Sequence, residues 1–167
     1  MRVGLPICLL VIGATIAGMQ APASSPGDVI LVRGVGLQET RLTRDDLARM
    51  TRATVKTRSH DDDEATFEGV RAGDILKRAG FTFGQHMRGP RMADYLLVRS
   101  ADGYRAVFAL PELDAAFSDR VVILADRCDG KLLSVHDGPF RIVVSDEKRH
   151  ARWVRNVASL SIATATP

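Results

Sequence analysis

The sequence predicts an α+β fold, with a mixed, mostly antiparallel sheet and short helices at its margins. Three observations carry this reading. Strand-like runs outnumber helical ones and do not alternate with them regularly, which argues against a doubly wound sheet. Glycine turns follow several of these runs, as at Ala101-Asp102-Gly103 and Asp129-Gly130, where glycine tolerates the positive φ a tight turn demands. The helical patterns are brief, and each is bounded by recognisable start or stop residues.

Taken in order, residues 1–23 read as a secretory signal peptide: Arg2, an apolar run over residues 3–17, and the small-x-small pattern Ala21-Pro22-Ala23. Residues 24–27 are a linker, 28–162 the folded domain and 163–167 a tail. This places the protein in the periplasm or outside the cell. No stable membrane span remains after cleavage, because the apolar run is short for a spanning helix. Cleavage would also remove Cys8, leaving Cys128 as a lone cysteine that cannot staple the domain.

The first strand is Val29-Ile30-Leu31-Val32, ended by Gly34 and Gly36, and residues 38–42 pair back with it. Thr43 is placed to cap a short helix, with Asp46 completing a capping box. A Thr/Val-rich strand over residues 53–58 follows. Ala72, Ile75, Leu76 and Ala79 then fall on one helical face, with Gly80 as the natural stop.

The central block spans residues 95–144. Residues 95–100 and 104–110 form a hairpin, with Tyr104, Ala106, Phe108 and Leu110 on one face. Residues 121–125 are all apolar, which predicts a strand buried on both faces. Residues 140–144 form a strand that sets Arg141 among Phe140, Ile142 and Val143. A guanidinium cannot be left unpaired there, so it meets a carboxylate or faces an anion. Pro111 opens a helical turn, Ser145-Asp146 is placed to cap a turn through Trp153, and residues 158–162 alternate as a half-buried last strand.

Composition bounds the function. The chain has 167 residues, 46% hydrophobic, with a formal charge of +3, which suits one domain with a real core and a modest attraction for small anions. No basic stripe is interleaved with aromatics, which argues against nucleic acid. Two metal patterns are unspecific: His60 beside Asp61, Asp62, Asp63 and Glu64 does not match an EF-hand loop, and His86, Met87 and Met92 share no ligand spacing. No metal site is expected.

Several short motifs stand in order: Glu68-Gly69-Val70 before Asp74-Ile75-Leu76-Lys77-Arg78-Ala79-Gly80; Asp102-Gly103-Tyr104 with Leu110 and Glu112-Leu113; Leu124-Ala125, Asp129-Gly130, Leu132-Leu133, Gly138-Pro139 and Arg141-Ile142-Val143-Val144; and Arg152-Trp153-Val154. Together they resemble the sulfite-oxidase-type oxidoreductase molybdopterin-binding domain family. The resemblance implies that family's fold. In its catalytic members a cysteine thiolate near the end of the strand before the glycine-valine helix binds molybdenum. Here that region reads Val55-Lys56-Thr57-Arg58-Ser59-His60, without cysteine. The resemblance therefore implies a binding or accessory module, with no cofactor expected, whose ligand is a small anion or whose partner is a periplasmic protein. A molybdopterin-dependent oxidoreductase with atypical metal ligation is the alternative. The candidate anion or pterin pocket is Arg141, Arg152, Trp153 and His136.

Overall fold

The computed structural model describes residues 28–58 and 63–166. Ten strands form two five-stranded sheets. In the first sheet β1 (Val29–Gly34) lies between β2 (Thr40–Thr43) and β10 (Val157–Thr164), and the order continues through β5 (Asp94–Ser100) to β6 (Arg105–Ala109). The β1–β10 pair is parallel, and the other pairs in this sheet are antiparallel. The strand closest to the C-terminus thus becomes the centre of its sheet. It also runs further than its alternation suggests: Ala163 and Thr164, read from sequence as the start of a tail, pair with Tyr95 and Asp94.

The second sheet is antiparallel throughout. It runs from β3 (Arg52–Arg58) to β4 (Glu64–Arg71) to β7 (Val122–Cys128), whose far side pairs with both β8 (Lys131–Leu132) and β9 (Arg141–Val144). Residues 122–125 are fully buried, as an all-apolar strand with neighbours on both sides requires. Gly69 explains its own motif. The β4–β7 register shifts beside it, and a Cβ there would lie 2.1 Å from the Leu124 carbonyl oxygen. Only glycine lets the two backbones approach this closely.

Helix α1 (Arg44–Ala48) starts at Thr43 with the expected capping box, completed by Asp46. Helix α2 (Ala72–Arg78) turns its apolar face inward and stops at Gly80, which takes a positive φ of 100°. One continuous core draws Ile30, Leu96, Phe108 and Leu160 from the first sheet and Phe67, Ile123, Leu124 and Ile142 from the second.

Two local expectations are corrected. Tyr104 lies just before β6 and is 51% exposed, because its main-chain N–H is held by Asp102 in the hairpin turn. Its hydroxyl donates instead to the Ala151 carbonyl oxygen at 2.6 Å. Ser145 caps no helical turn. Its hydroxyl accepts the Val121 N–H at 2.9 Å, while the 3-10 turn His150–Arg152 begins after Arg149.

Candidate functional site

A cleft of about 660 Å³ opens between the β5–β6 hairpin, the start of β9 and residues 148–155. Ser100, Asp102 and Tyr104 form one wall, Lys148, Arg149 and Arg155 supply charge, and Arg141, His150 and Trp153 lie at its base. Each side chain is placed by simple local rules. In a 3-10 turn, residues three apart eclipse one another. His150 and Trp153 are so spaced, and their rings stack at 3.7 Å with 16° between planes. The Trp153 ring meets the edge of Phe67 on β4 at 5.7 Å.

Arg141 enters this base from β9. Its guanidinium lies over the Phe67 ring at 5.5 Å and the Trp153 ring at 5.4 Å, cation–π distances on both. Its Nη1 donates to Asp137 at 3.1 Å, and its buried Nε has no hydrogen-bond partner. Burial pulls its pKa below the ordinary arginine value, partly offset by the Asp137 charge. Of the two outcomes left open by the sequence, the structure shows the carboxylate: Arg141 meets Asp137, and its side chain also borders the cleft. Arg155 shares the same carboxylate oxygen at 3.0 Å.

The other two predicted residues lie elsewhere. Arg152 is next to Trp153 in sequence but points the opposite way, onto the Phe108 ring at 4.5 Å. Its charge is taken by Glu147 and Glu112. It does not line the cleft. His136 is exposed outside the cleft, 3.2 Å from the Arg155 guanidinium. Tyr104, Lys148, Arg149, His150 and Arg155 were not singled out as site residues. For His150 a signal existed, its three-residue spacing from Trp153. For Arg155 and Lys148 the sequence offers none, because their position depends on how the segment after β9 folds back.

Cys128 ends β7 in register with Phe67, which is in register with Val55 on β3. The cysteine is thus two strands, about 10 Å, from the strand where the family resemblance places a metal ligand. It is not among the residues lining the cleft. Burial, with the adjacent Asp129 carboxylate, pushes its thiol pKa up to about 11. Of the soft-donor candidates, Met87 is in the core. Among the described residues no group of three His, Cys, Asp or Glu side chains could hold a metal ion. His60, Asp61 and Asp62 lie outside the described residues.

Two five-stranded sheets with two short α-helices among the described residues define an α+β architecture. The family model for the oxidoreductase molybdopterin binding domain matches residues 29–166. The chain belongs to that family. Its structure is similar to the sulfane dehydrogenase SoxCD from Paracoccus pantotrophus, with a TM-score of 0.62 and 20% identity over 83% of this chain. That likeness shows the fold, and it spans 39% of the SoxCD chain. No curated protein sequence matches. Among the described residues no helix is long and apolar enough to cross a membrane.

Proposed function

We propose that the protein is a binding module, working in the periplasm or outside the cell, that holds an anionic planar heterocycle and performs no molybdenum chemistry. The observation that carries this reading is the base of the cleft, where the Arg141 cation and the stacked rings of His150 and Trp153 lie side by side. A flat ring can stack against His150, which itself covers the buried Trp153 ring. An anionic group can take charge-assisted hydrogen bonds from Lys148, Arg149 and Arg155 at the rim. Family membership makes a pterin the first ligand to try. The location rests on the apolar N-terminal segment and its cleavage pattern.

The organic part of the family's cofactor fits these residues, and its metal does not. Molybdenum held by this family's chemistry needs a protein thiolate. Cys128 is the free thiol among the described residues, and burial together with the Asp129 carboxylate raises its pKa, which makes a thiolate costlier to form there. It also lies outside the cleft lining.

Trp153 is the only tryptophan of the chain, so its fluorescence reports on the cleft alone. Titration with a carboxylated pterin is expected to quench it saturably. Arg141→Ala should raise the apparent Kd about tenfold or more, the loss of one charge-assisted contact. No quenching by any pterin would sink the reading. So would about one molybdenum per chain, by elemental analysis, after expression in a host that makes the cofactor.

A further inference from the structure

We propose that Asp137, although not itself among the residues lining the cleft, holds the two cleft arginines that a ligand anion would use: it keeps simple inorganic anions from them, and a ligand binds there by displacing it. The inference rests on reading the cleft as an anion site. A single oxygen, Oδ1 of Asp137, lies 3.1 Å from Arg141 Nη1 and 3.0 Å from Arg155 Nε. It stands where a ligand anion would gain most, since both guanidinium groups converge on it.

The two sides of this contact differ in mobility. The Arg141 side chain is 7% exposed and pinned between two aromatic rings, whereas that of Asp137 is 29% exposed. Asp137 belongs to a short surface turn closed by the Asp137 and Gly138 N–H groups on the Ser134 carbonyl oxygen, at 3.1 and 2.8 Å. Ser134, Val135 and His136 are all exposed, with Val135 at 97%. Moving this turn takes no apolar side chain out of the core, and its ties to the rest of the fold include the Asn156 N–H on the Asp137 carbonyl oxygen at 3.3 Å and the Asn156 Nδ2 on the His136 carbonyl oxygen at 3.2 Å. The carboxylate is therefore the part that gives way.

An intramolecular carboxylate competes at an effective concentration on the order of millimolar or above. A bare anion offers the arginines nothing that Asp137 does not already offer, so it gains little by replacing it. A ligand that also stacks against His150 brings additional binding free energy and can displace the carboxylate. Charge balance agrees. Lys148 and Arg149 make no ion pair among the described residues, so even with the Asp102 carboxylate on one wall the cations lining the cleft outnumber its carboxylates and still attract an incoming anion.

The test is Asp137→Asn, which keeps the shape of the side chain and removes its charge. Sulfate and nitrate binding are measured by calorimetry at constant ionic strength. Sulfate affinity should rise about tenfold in the variant, and nitrate affinity by less, because the added attraction scales with ligand charge. Weaker sulfate binding in the variant would overturn the inference, since Asp137 would then only position the arginines. If sulfate binding is lost in Arg141→Ala but unchanged in Asp137→Asn, the cleft reading stands and this inference falls. If neither anion binds either protein, this inference falls, while the cleft reading is decided separately by pterin quenching of Trp153. In wild-type protein, amide exchange at Asp137 and Gly138 should quicken with a carboxylated pterin while core amides slow, and should not change with sulfate. Protection of those two amides would overturn displacement without any variant.

Discussion

Arg141 and Arg152 look alike in sequence, each beside a large apolar residue and each near a turn. The structure assigns them opposite work. Arg152 joins Arg120, Glu112 and Glu147 in a network of two cations and two anions, with links of 2.7 to 3.4 Å from Arg152 and 2.8 Å from Arg120 to Glu112. The Glu112 carboxylate also accepts the Ala109 N–H, which fastens the end of β6 to the following turn. Charge there is balanced and inward. Around Arg141 two guanidinium groups share one carboxylate, and the neighbouring Lys148 and Arg149 add more positive charge. A balanced arginine network is a structural joint. An arginine cluster with too few carboxylates, set beside a cleft, is a place for a ligand.

The comparison breaks most clearly at Arg152. Arg152→Ala strips Glu112 and Glu147 of a shared partner, and an oxygen of Glu147 is already buried without a hydrogen bond. Leaving partly buried carboxylates uncompensated should lower stability by about 2–3 kcal/mol. Urea denaturation measures this. Pterin quenching of Trp153 should persist in the folded variant. An Arg152 variant of wild-type stability that no longer binds would reverse the assignment of the two arginines.

The limits of sequence reading fall along the same line. The elements were legible because each rests on local chemistry: Thr43 with Asp46, the apolar run of β7, the hairpin at Gly103. The family was legible because motif order survives even where each motif is short. Arg141 was legible as an anomaly, a cation in an apolar strand. Arg152 was misplaced because adjacency to Trp153 in sequence says nothing about which side of a 3-10 turn a side chain takes. Successive side chains there diverge by about a third of a turn, so Trp153 faces the cleft and Arg152 faces Phe108. The pairing of strands across two sheets, and the central place of β10, depend on contacts between chain ends that no local pattern encodes.

Acid should sharpen the contrast, with a smaller effect. Burial alone would raise the Glu112 pKa, but hydrogen bonds from Arg152, the Ala109 N–H and Arg120 outweigh it and hold the carboxyl below the ordinary glutamate range. A depressed folded-state pKa contributes stability that is present above the unfolded value, about 4.3, and is lost as pH falls through the folded one. Stability should therefore decline below about pH 4.3 in wild type, and this part of the decline should flatten in Arg152→Ala. An identical acid limb in both proteins would show that Glu112 does not depend on Arg152.

The smallest effect lies at Cys128, which ends β7 and belongs to neither region. Its neighbour in register, Phe67, carries Arg141 on its ring, so a reactive thiolate here would have a cation close by. Burial and Asp129 nevertheless hold the thiol protonated, with a pKa of about 11. Reaction with a thiol-directed alkylating reagent at pH 7.5 should then be slower than for a free cysteine by about two orders of magnitude, following the smaller thiolate fraction. Cys128→Ser should change stability by no more than about 1 kcal/mol, as the side chain is only partly buried, and should leave pterin quenching intact. Fast alkylation that a bound pterin blocks would put the thiol in the cleft, give the site a nucleophile or metal ligand, and reopen molybdenum chemistry for this chain.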